Sequence, residues 1–179
     1  MKKISALLVI VFFTLLQVVA QEPIFVKGDK VINLGIGFGS GSYSGVGAVF
    51  LTSFEAGIVD NVINKKGVIG VGGCLGYTSY TNSGEWRSSE FIIAGRGALH
   101  YPFVKKLDTY GGVMLGYGIY SYKWVGSGTE TFYDGSTGSI ISTFYAGAGY
   151  HVSKSFAVMS ELGLGYNLSY LSVGVSFKF

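Results

Sequence analysis

Residues 168–179, LSYLSVGVSFKF, alternate from Leu171 onward between apolar side chains and small or polar ones. Successive side chains of a β-strand point to opposite faces, so the apolar residues share one face. They are Leu171, Val173, Val175, Phe177 and Phe179. Terminal residues are usually frayed and polar unless they are tied down. The pattern therefore predicts a strand whose apolar face is covered up to Phe179.

The first 21 residues, MKKISALLVIVFFTLLQVVAQ, have the order of a secretory signal peptide. Lys2 and Lys3 precede an apolar run, and the small residue Ala20 offers a cleavage point. An uncleaved N-terminal membrane anchor is the alternative interpretation. We expect residues 1–20 to be a cleaved signal peptide and residues 21–179 to form one domain.

The composition is unusual for an exported soluble domain. Hydrophobic residues make up 49% and charged residues 13% of the chain, whereas an ordinary globular domain has about 25% charged residues. After the leader, no apolar run approaches the roughly 20 residues that a membrane helix needs. Because lipid satisfies no exposed backbone group, such a chain can enter a bilayer only as a closed β-barrel.

The charges and the single cysteine exclude two other classes. Without Lys2 and Lys3, eleven basic and ten acidic residues remain, and no basic run or helix indicates nucleic-acid binding. Cys74 is the only cysteine, so an internal disulfide framework is excluded.

Period-two alternation recurs eight times along the rest of the chain. An even number of such segments predicts an all-β fold, an eight-stranded antiparallel up-and-down transmembrane β-barrel. The predicted strands are 30–39, 46–59, 67–79, 90–102, 109–122, 139–152, 156–165 and 168–179.

The connections between these strands are of two kinds. Three are short or charged, while segments 80–90 and 123–138 are long and rich in Ser, Thr and Gly. In bacterial barrels the periplasmic turns are short and the extracellular loops are long. We therefore expect the two long loops to face outward, where they could meet an extracellular partner.

Three charged residues fall on inward faces by their position in the alternation: Glu55, Arg96 and Glu161. A lone charge in a low-dielectric lumen would cost several kcal/mol, whereas a paired one is tolerated. The sequence predicts that the three form one cluster, with His100 and tyrosines adding hydrogen bonds and inward glycines making room. Such a cluster is either a satisfied barrel core or a gate in a narrow pore.

No other residues form a site for catalysis, a metal or a cofactor. His100 and His151 end strands without the spacing of metal ligands, and Cys74 lies inward among glycines. No nucleophile elbow is present, and the long loops contain no histidine. We expect no enzyme activity and no cofactor.

Several segments resemble a known family. The leader, the eight alternating strands and YLSVGVSFKF (170–179) resemble the small outer-membrane β-barrels of Gram-negative bacteria, the OmpA/OmpX type. The closer resemblance, to the outer membrane protein β-barrel domain of Bacteroides-like bacteria, rests on SFEAGIVD (53–60), GVGGCLGYTSY (70–80), LDTYGGVMLGYGIY (107–120) and ELGLGYNLSYLSVGVSFKF (161–179).

The resemblance implies a location in the outer membrane, contact with outer-membrane lipid, and insertion by the barrel-assembly machinery. In that family the machinery recognises the last strand, here the residues from Leu171 to Phe179. We expect a structural or surface-interaction role. A narrow passive pore and a soluble, lipocalin-like periplasmic binder are the alternatives, and the second would require an apolar interior.

Overall fold

The computed structural model describes residues 23–38, 48–82, 85–126, 134–165 and 170–179. The expected signal peptide, residues 1–20, lies outside this described part. The strands are β1 (Lys30–Phe38), β2 (Val49–Asn61), β3 (Gly67–Asn82), β4 (Trp86–Val104), β5 (Leu107–Trp124), β6 (Gly135–His151), β7 (Phe156–Gly165) and β8 (Leu171–Lys178).

Each strand pairs antiparallel with its neighbour in the chain, and β8 pairs back onto β1. The closing seam runs from Val31 opposite Lys178 to Phe38 opposite Leu171. Closure leaves no sheet edge along this seam, so the backbone groups there are paired within the sheet. The predicted eight-stranded antiparallel barrel is confirmed.

The two ends of the barrel differ. At one end, called here the termini end, lie Lys30, Lys178 and the short connections 62–66, 105–106 and 152–155. The first of these is a left-handed turn, with φ near +60° at Asn61 and Lys65. The opposite end, called the loop end, carries the remaining connections. Among the residues that the structure describes, no helix is long and apolar enough to cross a membrane.

Four neighbouring strands are longer than the sequence predicts. Strands β3 to β6 have 16, 19, 18 and 17 residues, whereas β1, β2, β7 and β8 have 9, 13, 10 and 8. The expectation of a long loop at 80–90 is therefore wrong, because Thr81 pairs with Arg87 in the β3–β4 ladder. Much of 123–138 is also strand, and its residues 127–133 lie outside the described part.

These segments lack apolar alternation, and the sequence therefore predicts loops there. A strand that continues beyond the hydrocarbon needs no apolar outward side chains, so its polar extension resembles a loop in sequence. The outward apolar side chains of the barrel form what we call the apolar belt. The part of β3–β6 that extends past this belt toward the loop end, beyond the end of β7, is called here the projecting sheet.

The outward face of the barrel is apolar. Leu115, Phe144 and Leu164 are 64%, 69% and 70% exposed, an arrangement that only lipid makes favourable. The interior instead buries polar side chains, among them Glu55, Arg96 and His100. These buried ionic groups and the apolar outward face differ from the wholly apolar interior that the lipocalin-like alternative requires.

Candidate functional site

The candidate site is a cluster of ionic and aromatic side chains in the half of the lumen near the termini end. The structure brings together the three charged residues singled out in the sequence. Arg96 Nε lies 3.3 Å from Glu55 Oε2, and Arg96 Nη2 donates to Glu161 Oε2 at 2.9 Å. Glu55 and Arg96 are only 2% and 8% exposed, so the ion pair between them is screened little by water.

Inward glycines make these contacts possible. Gly72 pairs with Glu55 on β2 and with Arg96 on β4. The side chains of Glu55 and Arg96 therefore meet over a glycine, which has no side chain of its own. Gly147 likewise separates Tyr110 from Glu161, and the Tyr110 hydroxyl donates to Glu161 Oε2 at 3.2 Å. In an eight-stranded barrel the lumen is only wide enough for side chains to fill. Each long side chain therefore needs a glycine, which has no side chain, beside it.

Tyr145 completes the surroundings of Arg96. It lies over Gly112, accepts a 3.1 Å hydrogen bond from Arg96 Nε, and places its ring centroid 4.2 Å from the guanidinium carbon. A Cβ at Gly112 would collide with the Tyr145 ring. The guanidinium is thus held by two carboxylates, one hydroxyl and an aromatic face, which together compensate its removal from water.

His100 extends the cluster toward the termini end. Its Nδ1 lies 2.8 Å from Asp108 Oδ2, and its Nε2 lies 2.5 Å from Glu55 Oε1. Both ring nitrogens face carboxylate oxygens, and only the imidazolium form donates from both. Three carboxylates and two basic side chains therefore form one connected network across β2, β4, β5 and β7.

Asp108 is a member of this network that the sequence reasoning missed. It is the last residue of the charged segment PFVKKLD, residues 102–108, which the sequence predicts to be a turn between β4 and β5. The available signal was its position two residues before Tyr110 and four before Gly112, on the inward face of β5. Extending the alternation of β5 by one step would have included it.

A second missed feature closes the termini end of the barrel. Residues 24–29, called here the N-terminal plug, fold back into the lumen before β1 begins. Phe25 is 2% exposed, and its ring centroid lies 4.2 Å from that of His100. Backbone hydrogen bonds join Gly28 N to Gly57 O at 2.9 Å and Gly57 N to Asp29 O at 3.0 Å.

Lys178 fastens the plug to the last strand. Its Nζ donates to the Ile24 carbonyl at 2.6 Å and lies 3.0 Å from Asp29 Oδ2. A Cβ at Gly57 would collide with the Val26 carbonyl oxygen, so the close approach requires glycine there. Lys178 therefore joins the last strand to the segment that precedes the first one.

A small, partly open cavity lies beside the network, on the side toward the loop end. This cavity of about 50 Å³ is lined by Arg96 and Glu161 together with the three sulfur-bearing side chains Cys74, Met114 and Met159. Cys74 Sγ lies 3.0 Å from Met114 Sδ. Val49, Ile92 and Ile141 form a buried apolar layer against it. The cavity has room for only a few water molecules.

The described residues contain no group of three or more His, Cys, Asp or Glu side chains suited to hold a metal ion. His151 lines a second, smaller cavity of about 20 Å³ together with His100 and Asp108. The five side chains of the network contact one another in the lumen. Nothing in it pairs a nucleophile with a base beside an open substrate space.

The last strand lies where its alternation predicts. Leu171, Val173, Phe177 and Phe179 are 40%, 44%, 44% and 65% exposed on the outward face, and Val175 is half-buried there. Phe179 exchanges two backbone hydrogen bonds with Lys30, of 2.9 and 3.0 Å. The C-terminal aromatic residue is thus part of the seam that closes the barrel.

Aromatic residues gather at the rim of the projecting sheet. The rings of Trp86 and Trp124 meet edge to face with centroids 5.1 Å apart, and Tyr122 lies 6.0 Å from Trp86. The Trp124 backbone N–H donates to Asp134 Oδ1 at 3.1 Å. These contacts tie β4, β5 and the start of β6 together where the strands leave the barrel wall.

Comparisons with known proteins agree with the fold. No protein-family model matches the chain, and no curated protein matches it in sequence. Among solved structures, the attachment invasion locus protein Ail of Yersinia pestis is 13% identical, with a TM-score of 0.53 over 86% of this chain and 100% of Ail. A de novo designed transmembrane β-barrel is 20% identical, with a TM-score of 0.54 over 90% of this chain and 100% of the design.

At such identities the likeness concerns architecture alone. Ail is an outer-membrane protein, and the designed protein is a transmembrane barrel. The chain is therefore an eight-stranded transmembrane β-barrel with the fold of small outer-membrane barrel proteins of the OmpA/OmpX type.

Proposed function

We propose that this protein is a non-enzymatic barrel of the Gram-negative outer membrane that acts through its projecting sheet. Residues 1–20 serve as the cleaved signal peptide, the termini end faces the periplasm, and the loop end faces outward. The β8 residues from Leu171 to Phe179 serve as the recognition strand for the barrel-assembly machinery. The narrower relationship, to the Bacteroides-like β-barrel domain, is part of the same proposal.

The projecting sheet is the observation that carries the proposal. Strands β3–β6 continue beyond the apolar belt, and the pairing of β6 with β7 begins only at Thr143 opposite Gly165. The segment Gly135–Ser142 of β6 therefore rises above the end of β7. A protein that only filled the bilayer would need no such extension. It supports a role in which the segments 80–90 and 123–138 meet an extracellular partner.

The filled lumen supports this role over that of a passive pore. The N-terminal plug, the Arg96 network and the apolar layer of Val49, Ile92 and Ile141 occupy successive levels of the lumen. A pore would require all three of these levels to open together. The alternative of a narrow pore predicts measurable conductance, which a filled barrel lacks.

Two measurements test the proposal. Cell fractionation, with gels of boiled and unboiled outer-membrane samples, should give a heat-modifiable band in the outer membrane. The purified barrel in planar bilayers should then show no discrete conductance steps. A band in the periplasmic fraction would refute the location, and stable steps in the wild-type protein would establish the pore instead.

The surface role needs a separate variant. Deleting residues 82–85 and 125–134 removes the tips of the projecting sheet, between β3 and β4 and between β5 and β6, but retains the apolar belt. Intact cells carrying this variant should keep the heat-modifiable barrel and lose adhesion to the host cells or surface polymers that wild-type cells bind. Equal adhesion of both strains across such a panel would remove the projecting sheet from the proposal.

A further inference from the structure

The outward face of β3–β6 changes from apolar to hydroxylated between two successive rows of cross-strand neighbours. Tyr77, Phe91 and Ile119 are cross-strand neighbours on β3, β4 and β5, and they are 48%, 40% and 41% exposed. The next outward row toward the loop end consists entirely of serines. They are Ser79, Ser89, Ser121 and Ser136, each paired with the next across β3 to β6. Counted from the termini end, this serine row is the first outward row of β3–β6 without an apolar side chain.

One step above the serine row are two basic residues. Arg87 lies directly opposite Lys123 in the β4–β5 ladder, and both are exposed. Like charges directly opposite each other destabilise a sheet unless an anion lies between them. No ion pair involves either side chain in the described part of the protein. The nearby Asp134 carboxylate accepts from the Trp124 backbone N–H.

An apolar groove on the neighbouring strands β8, β1, β2 and β3 reaches these rows at Tyr77 and Phe91. It has a volume of about 520 Å³ on the outward face. The apolar side chains that line it include Leu34, Ile36, Phe50, Leu75, Tyr77 and Phe91. Tyr77 and Phe91 belong both to this groove and to the row beneath the serines. The surface is therefore continuous from cationic through hydroxylated to apolar.

From this continuity we infer a binding site for a phosphate-bearing lipid of the leaflet at the loop end. Its phosphate lies between Arg87 and Lys123, its polar linkage contacts the serine row, and an acyl chain occupies the groove. A guanidinium and an ammonium side by side match the charge and the acceptor oxygens of a phosphate. The inference rests on the membrane-spanning fold, and it does not require the proposed surface role.

The test uses the full-length mature barrel in detergent and native mass spectrometry. Dioleoyl phosphatidic acid is the probe, sodium oleate supplies the chain without the phosphate, and inorganic phosphate supplies the anion without the chain. The double variant R87Q/K123Q removes both charges. The matched control, K105Q/K106Q, removes two exposed lysines from the opposite end of the barrel.

We expect the wild-type protein and the control variant to retain one phosphatidic acid with equal affinity. Each basic residue near an anionic lipid contributes about fivefold, so R87Q/K123Q should bind about thirtyfold more weakly. All variants should keep the heat-modifiable gel shift, which shows that the barrel is folded. A Y77A/F91A variant should weaken phosphatidic acid binding while leaving the fold intact.

Three results would overturn the inference. The first is equal retention by R87Q/K123Q and wild type. The second is equal competition by inorganic phosphate and phosphatidic acid, which would indicate an anion site without a lipid chain. The third is equal binding of oleate, which would indicate a groove without phosphate recognition. Because lipid retention is measured on purified protein, a failure here is distinct from a failure of the adhesion test.

Discussion

Replacing Arg96 with methionine tests the ionic network most directly. The variant keeps a long side chain but removes the only guanidinium in contact with Glu55 and Glu161. Glu55 retains its 2.5 Å contact with His100 Nε2, so Glu161 is the carboxylate left without a cation. Its remaining partner is the Tyr110 hydroxyl at 3.2 Å.

The magnitude follows from the burial of these groups. Removing one partner of a buried ion pair costs about 3–5 kcal/mol, because the other charge stays uncompensated. The Arg96 side chain is 5% exposed and that of Glu161 is 18% exposed, so solvent screening moves this cost toward the lower end of the range. We expect Arg96→Met to lower the free energy of unfolding by about 3–5 kcal/mol. The double variant R96M/E161Q should recover most of that loss, since it also removes the stranded charge.

Urea unfolding of the barrel in lipid vesicles, followed by unboiled gels, measures these differences. Arg87→Met is the matched control, because Arg87 is exposed on the projecting sheet. It should change stability by less than about 0.5 kcal/mol. If Arg96→Met unfolds at the wild-type urea concentration, or if adding Glu161→Gln worsens the loss, the network does not stabilise the barrel as argued.

Three further substitutions test the surroundings of the network. Phe25→Ala should release the N-terminal plug while the barrel stays closed, and hydrogen exchange should accelerate at the Gly57 amide, which donates to Asp29. Gly70→Ala should cost about 1–3 kcal/mol in urea unfolding, since its Cβ would displace the Glu55 carboxylate. Tyr145→Phe should cost about 1.5–3 kcal/mol in the same assay, because it removes a hydrogen bond from the charged Arg96 and keeps the ring.

Each of these substitutions has a control on the lipid-facing side. Phe103→Ala removes a ring that is 47% exposed, Gly97→Ala adds a Cβ whose nearest neighbour is 3.9 Å away, and Tyr117→Phe alters a tyrosine that is 46% exposed. All three should leave hydrogen exchange at the Gly57 amide and the free energy of unfolding near their wild-type values. Equal effects of a substitution and its control would show that the inward position has no special importance.

The N-terminal plug, which packs on the network, also holds the first and last strands of the barrel together. Lys178 on β8 binds both Ile24 O and Asp29, while Phe25 packs on His100 of β4. The residues before β1 are thus fastened to the last strand across the β1–β8 seam. This contact stabilises the closed sheet at its termini end, along the seam between the two shortest strands, β1 and β8.

Much of the fold follows from the sequence alone. The period of two decides which face each residue occupies, so the alternation in 168–179 and in the other segments was enough for the eight strands, the apolar outward face and the closed barrel. The same parity placed Glu55, Arg96 and Glu161 inside. These are properties of single strands, and a single strand carries them in its own sequence.

The tertiary structure decided what depends on several strands at once. Cross-strand register aligns Gly72 between Glu55 and Arg96, lines up four serines on one level, and sets Arg87 against Lys123. Parity cannot specify register, because each strand can slide by two residues without changing its faces. Asp108 joins the site through the pairing of β4 with β5, which sets it near His100, and Phe25 joins it because the segment before β1 folds back to the same mouth.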